Sequence, residues 1–168
     1  SWYRDHSNDG YQDLLSIDVL SDVLTDGNVA NVARSLLGDG EIVYFGDSSV
    51  NLTDQTQGVG LFHRDNADRW DGRGPDWNGD YTVLRFGLYL QDHSNCSGGL
   101  LLRSGSHRTK PWHPRLEWMR DEIWHVLTGN TKYMNTSIGD LVVWTLRTTH
   151  AGYGRYIKAF GPQLPVTN

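Results

Sequence analysis

The spacing of apolar residues predicts two helices near the start of the chain. Along residues 11–25 the apolar side chains form one stripe, and along 28–37 they recur at i, i+3, i+4, i+7 and i+8. Gly38 follows the second segment as a typical C-terminal cap. Both segments are therefore predicted to be helices that pack against a sheet.

From residue 41 onward the apolar pattern changes to short runs typical of strands. In the run 81–90, Leu84 and Leu88 share one face, whereas Arg85 and Tyr89 share the other. The other predicted strands are residues 41–45, 58–65, 98–103, 140–149 and 155–160. Short strands separated by Gly, Asp and Asn turns predict a mainly β fold, an antiparallel sandwich or jelly roll with N-terminal packing helices.

Two long connections interrupt this pattern, at residues 66–80 and 104–129. Loops of this length in a compact domain are often functional, so they are candidate walls of a binding site. A peripheral helix over residues 114–127 that covers a sheet edge is the alternative for the second connection.

Composition narrows the class of protein. The 168 residues, of ordinary apolar content, predict a single domain, and the net charge of -5 argues against a nucleic-acid binder that uses broad electrostatics. One cysteine, Cys96, excludes an internal disulfide framework and a thiolate-rich metal site. No apolar run is long enough to span a membrane, and no signal-peptide pattern is present, so a cytoplasmic location without membrane attachment is expected.

The tripeptide His63-Arg64-Asp65 is the first candidate for chemistry. On a strand, residues i and i+2 point to the same face, so the imidazole and the carboxylate converge while Arg64 faces away. One imidazole and one carboxylate are two of the three ligands of a facial triad for Fe(II). A His-x-Asp tripeptide also arises by chance in a chain with seven histidines.

The third ligand must come from another strand, and His150 is the candidate. It follows the predicted strand 140–149, in which Trp144 and Thr148 share its face, so it is expected at the open mouth of a sandwich. A histidine satisfied by its own hydrogen bonds is the alternative interpretation. Arg155 opens the next predicted strand, where its guanidinium could bind a carboxylate near the metal.

Together these residues and their surroundings resemble the phytanoyl-CoA dioxygenase-like (PhyH) family of Fe(II)/2-oxoglutarate oxygenases. The resemblance covers residues 58–161, and His63, Asp65, His150 and Arg155 follow in the family's order. The stretches that carry it are F-H-R-D at 62–65, R-F-G-L-Y-L-Q-D at 85–92, S-G-G-L-L-L-R-S-G-S-H-R at 97–108 and G-D-L-V-V-W-T-L-R-T-T-H-A-G at 139–152.

The resemblance implies a double-stranded β-helix (jelly roll) over residues 1–168 that binds Fe(II) through His63, Asp65 and His150. It also implies a dioxygenase that uses O2 and the co-substrate 2-oxoglutarate, releases succinate and CO2, and hydroxylates a C–H bond of a small molecule. Related halogenases replace the carboxylate ligand with a small residue, so Asp65 favours hydroxylation.

Two arginines are candidates for binding the distal carboxylate of 2-oxoglutarate. Arg155 is the first candidate, although it lies closer to the distal histidine than the family's arginine does, and Arg85 is the rival on the polar face of its strand. Arg147 is predicted to face away from His150. Tyr89 is a candidate hydrogen-bond donor to the co-substrate, or else a packed tyrosine.

Two other functions compete with this one. A cupin-like metal enzyme on the same fold would need no 2-oxoglutarate, and a non-catalytic jelly-roll module would bind glycans through aromatic residues. The sequence names no substrate class and no oligomeric state.

Overall fold

The structure is a computed structural model, and it describes residues 18–38, 40–45, 48, 62–66, 68, 71–79, 81–93, 99–110, 123 and 127–153. The chain divides into two compact units, Ser1–Leu52 and Thr53–Asn168. The first unit contains the two long helices, and the second contains all the described strands. The expectation of one oxygenase domain over residues 1–168 stays a prediction.

The two predicted helices are present. Helix α1 spans Asp18–Thr25 and helix α2 spans Gly27–Leu37, and the two are in contact. The Asp26 side chain caps α2 by accepting hydrogen bonds from the backbone N–H groups of Asn28 and Val29, at 2.8 and 3.4 Å. Gly38 ends α2 with φ at +88°, a conformation that favours glycine. The segment 11–17 lies outside the described residues.

The predicted strand at residues 41–45 is wrong. These residues have no regular secondary structure, and all five are exposed. A strand requires a partner for its backbone N–H and C=O groups, and none of the described residues in the first unit forms one.

The second unit is built mainly from strands in two antiparallel sheets. Strand β1 (Leu84–Leu88) pairs with β4 (Leu141–Thr145), whereas β2 (Gly99–Arg103) lies between β3 (Thr131–Met134) and β5 (His150–Tyr153). A short helix, α3 (Pro75–Asn78), lies within the first long connection. These pairings confirm the prediction of a sheet-rich fold, although no predicted strand corresponds to β3.

The path of the chain into His150 differs from the prediction of one continuous strand over 140–149. Strand β4 ends at Thr145, where a turn closes with a hydrogen bond from the Thr148 N–H to the Thr145 carbonyl at 2.9 Å. The chain then enters the other sheet, and His150 is the first residue of β5, opposite Leu102. His150 is therefore held by a different sheet from the Trp144 that precedes it.

The described core is small and partly polar. The buried apolar residues are Trp77, Leu100, Leu101 and Ala151. Trp77, on α3, donates its indole N–H to the Asp68 carbonyl at 3.0 Å, so it anchors the loop from within. No helix in the described part of the chain is long and apolar enough to cross a membrane.

Candidate metal centre

The backbone brings the His63 segment directly against the start of β5. The His63 N–H donates to the His150 carbonyl, and the His150 N–H donates to the His63 carbonyl, both at 2.9 Å. The two residues form an isolated antiparallel bridge. Two residues away, the Asp65 N–H donates to the Leu146 carbonyl at 3.1 Å. These bonds place His63 and Asp65 beside His150, a residue that follows them by more than 80 positions in the sequence.

The three predicted ligand side chains converge. His63 Nε2 lies 3.5 Å from Asp65 Oδ1, and His150 Nε2 lies 3.6 Å from Asp65 Oδ2. One ligand atom from each residue lies within 4.8 Å of the others. Bonds of about 2.1 Å at right angles around one ion place neighbouring ligand atoms about 3 Å apart, so small rotations of these side chains are sufficient for coordination.

The Nδ1 atom of His150 already makes a hydrogen bond. It lies 3.0 Å from the Thr148 carbonyl, which can only accept, so Nδ1 carries the proton and Nε2 is left as the ligand atom. The His150 side chain is 7% exposed, whereas that of His63 is 45% exposed. The triad is therefore buried on the β5 side and open to solvent on the His63 side.

The charge states suit metal binding. Burial acts to raise the pKa of Asp65, but the hydrogen bond from His63 and the charges of His150, Arg85 and His63 outweigh it and hold the pKa below its ordinary value. Burial lowers the pKa of His150, although the Thr148 carbonyl and the Asp65 carboxylate oppose this. An ionised carboxylate and a neutral imidazole are the forms that coordinate metals.

The donor set fits a divalent transition metal. Imidazole nitrogen suits iron, zinc, copper and nickel, and two histidines with one carboxylate and open positions are characteristic of non-haem Fe(II) oxygenases. His63, Asp65 and His150 provide this set, and the exposed side of His63 leaves room for further ligands.

Arg85 lies beside the triad. Its Nε is 3.6 Å from Asp65 Oδ2, and it is the register partner of Trp144 across β1 and β4. The Trp144 ring is 5.4 Å from the His150 ring, centroid to centroid. Arg85 and Trp144 therefore project from the same face of their sheet toward the metal centre.

Of the other residues singled out in the sequence, the structure describes Tyr89 and Arg147. Tyr89 is four residues beyond Arg85, about 13 Å along an extended chain, and its ring packs edge-on against His93 with centroids 4.9 Å apart. Burial raises the pKa of Tyr89 to about 12, so its phenol stays protonated. Arg147 lies over the Trp77 ring, 5.8 Å from its centroid. Arg155 lies outside the described residues.

A separate cavity of about 280 Å³ lies between β3 and β4. Tyr133, Thr136 and Asp140 supply its polar lining, with Leu141 and Val142 on the apolar side. None of the three converging ligand residues lines it, so it belongs to a different part of the unit.

The sequence pattern did not predict the hydrogen-bond partner of Arg64, the residue between His63 and Asp65. Arg64 was predicted only to face away from the metal, but its guanidinium reaches Thr149, the residue before His150. Alternation along the strand gives the direction of Arg64, whereas its partner depends on a pairing between distant segments that the local pattern does not encode.

Comparisons with known proteins supply no family for this chain. No family model matches it, and neither the search of curated proteins nor the search of solved structures found a similar chain. The geometry of the site and the resemblance of the sequence motifs are therefore what bears on function.

Proposed function

We propose that this chain is an Fe(II)- and 2-oxoglutarate-dependent dioxygenase that hydroxylates a C–H bond of a small molecule. The observation that carries the proposal is the convergence of His63, Asp65 and His150, with ligand atoms within 4.8 Å of one another. The order of these residues along the chain and their surrounding motifs resemble the PhyH family.

We also propose that the two sheets are parts of a double-stranded β-helix. All described strand pairs are antiparallel, and the chain passes from one sheet to the other between β1 and β2, between β3 and β4, and between β4 and β5. Alternation between two facing sheets is typical of a jelly roll. The triad lies where the chain crosses between the sheets before β5.

The three converging residues would each contribute to metal binding. His63, Asp65 and His150 would hold the ion and leave the side near His63 open for the co-substrate and oxygen. Bound Fe(II) supplies the redox chemistry through which O2 decarboxylates 2-oxoglutarate to succinate and CO2 and oxidises the substrate. The carboxylate of Asp65 occupies a coordination position, which favours hydroxylation over halogenation.

Among the residues that the structure describes, Arg85 is the candidate for binding the co-substrate 2-oxoglutarate. A guanidinium can grip a carboxylate with two parallel hydrogen bonds, and Arg85 already lies next to the ligand Asp65. Arg155 remains the alternative. The variants Arg85→Gln and Arg155→Gln separate the two, because loss of the charged hydrogen bonds of the binding arginine should raise the KM for 2-oxoglutarate about tenfold or more.

The proposal is tested by succinate release from 2-oxoglutarate, measured with and without added Fe(II). We expect turnover that requires Fe(II) and is abolished in His63→Ala, Asp65→Ala and His150→Ala. His107→Ala is the matched control, because His107 is a half-buried histidine outside the triad, and it should retain activity.

Full turnover in the three ligand variants would contradict the proposal. Turnover of a substrate without added 2-oxoglutarate would instead support the cupin-like metal enzyme. A protein that binds glycans but neither metal nor 2-oxoglutarate would support the non-catalytic module.

A further inference from the structure

A buried arginine lies between the two ligands of the His63 segment. Arg64 is 4% exposed, although the neighbouring His63 is open to solvent. Its Nε–H donates to Thr149 Oγ1 at 3.0 Å, and its Nη2–H donates to the Ser106 carbonyl at 3.3 Å. Burying a guanidinium is costly unless it is hydrogen-bonded, so these contacts are required for the position it occupies.

The partners of Arg64 are themselves linked. The Thr149 N–H donates to Ser106 Oγ at 2.9 Å, and Ser106 Oγ–H donates to the Arg103 carbonyl at 2.7 Å. The Arg103 N–H donates to the Thr149 carbonyl at 2.9 Å, which closes the network. We call Arg64, Thr149, Ser106 and Arg103 the back-face network, because it lies on the side of the His63 segment opposite the ligands. All four residues are buried.

The back-face network joins the two parts of the metal centre. His63 and Asp65 belong to one segment and His150 to β5, and the bridge between His63 and His150 is an isolated one. A slip of one residue between paired strands turns every side chain to the other face. The bond from Arg64 to Thr149 opposes such a slip, because Arg64 and Thr149 each lie next to a ligand in sequence.

We infer that Arg64 is a positioning residue for the metal centre: through Thr149 and Ser106, it holds the two-ligand segment in register with the third ligand. The inference rests on the proposed function, because it assigns Arg64 a role in holding the metal ligands. Partners beyond the ligands commonly set metal affinity, and losing one costs about 10- to 100-fold.

The test measures Co²⁺ affinity by titration calorimetry and by the visible absorption of the bound ion, with purified full-length variants. Arg64→Met removes the two hydrogen bonds described above at similar side-chain length, and Thr149→Val removes the acceptor with almost no change of shape. Thr149→Ser keeps the hydroxyl. Arg147→Met is the matched control, because Arg147 also lies over the Trp77 ring, 5.8 Å from its centroid, while Arg64 lies 5.2 Å from it.

We expect Arg64→Met and Thr149→Val to weaken Co²⁺ binding about tenfold or more and to change its absorption spectrum. Thr149→Ser and Arg147→Met should bind within about twofold of the unaltered chain. The double variant should lose little more than Arg64→Met alone, because Arg64→Met already removes the bond to Thr149.

Two results would overturn the inference. The first is Co²⁺ affinity in Arg64→Met and Thr149→Val equal to that of the unaltered chain, even if thermal stability falls. The second is an equal loss of affinity in Arg147→Met. If Arg64→Met does not fold, the comparison of Thr149→Val with Thr149→Ser decides alone. If the unaltered chain binds no Co²⁺, Mn²⁺ or Fe²⁺, the proposed function itself fails, and this inference falls with it.

Discussion

His63 and His150 exchange both backbone hydrogen bonds, and their imidazole rings lie 4.4 Å apart, centroid to centroid. The main chain therefore brings the two rings together before any ion is bound. This relationship means that a metal would bind a partly preorganised site, and that its binding energy would stabilise the folded state.

Divalent metal should raise the free energy of unfolding. At a free Co²⁺ concentration about 100 times the Kd, we expect a gain of about 2.7 kcal/mol in urea unfolding, since the ion binds the folded chain through three converging side chains. His150→Ala should abolish the gain, and His107→Ala should keep it. An equal gain in His150→Ala would place the ion elsewhere.

Gly87 is predicted to be sensitive to a single added methyl group. A Cβ at Gly87 would lie 3.1 Å from Trp144 Cζ3 and 3.3 Å from Cη2, whereas one at Gly152 would meet no atom within 4 Å. Gly87→Ala should therefore lower the free energy of unfolding by about 1–3 kcal/mol through overpacking. Gly152→Ala, in β5, should not lower it. Chemical denaturation of both variants checks this, and similar losses would refute the packing of Trp144 over Gly87.

His93 should make the metal-free protein less stable as the pH falls. Gln91 Nε2 can only donate, so His93 Nε2, 3.3 Å away, accepts, and Nδ1 donates to Thr136 Oγ1 at 3.0 Å. Burial lowers the pKa of His93, although the charge of Asp92 opposes this. Below the unfolded pKa of about 6.5, the unfolded chain binds the proton more readily, so stability is lost.

The measurement is the urea midpoint between pH 8 and pH 5 in the presence of a chelator. The fall in stability should be shallower in His93→Gln than in the unaltered chain. The other histidines are the same in both proteins, so the difference between the two curves reports residue 93. Parallel curves would contradict the prediction.

Two tryptophans should respond differently to replacement by phenylalanine. Trp77 donates its N–H to the Asp68 carbonyl, whereas Trp144 Nε1 is buried without a hydrogen-bond partner in the described part of the second unit. Trp77→Phe loses a hydrogen bond worth about 1 kcal/mol in addition to packing, but Trp144→Phe removes an unsatisfied donor. Urea unfolding should therefore show the larger loss for Trp77→Phe. The reverse order would show that the Trp144 indole N–H has an acceptor.

The convergence of the candidate ligands His63 and Asp65 was predictable from the sequence for a simple reason. Alternation along an extended chain fixes the relative direction of His63 and Asp65 without knowledge of any partner strand. The end of β4 at Thr145 was not accessible, because the apolar pattern continues through Leu146 while the backbone turns. A period of two reports which face a side chain occupies, but not which sheet its strand joins.

Strand β3 was not predicted, because it too depends on pairing with another strand. Residues 131–134 alternate only weakly in polarity, and their conformation depends on pairing with β2, with Leu101 opposite Tyr133. The contact of Arg64 with Thr149 depends on tertiary structure even more, because the two residues are 85 positions apart. Local propensity is a weak guide where distant pairing determines the structure.

The position of the ligands along the chain has a consequence for the durability of the second unit. His63 and Asp65 precede strands β1 to β4, whereas His150 follows them. An ion held by all three would close this long stretch into a loop, and a cross-link of that kind restricts the unfolded chain in the way a disulfide does. A chain with a single cysteine has no internal disulfide, so this metal cross-link would make its resistance to proteolysis depend on the supply of metal.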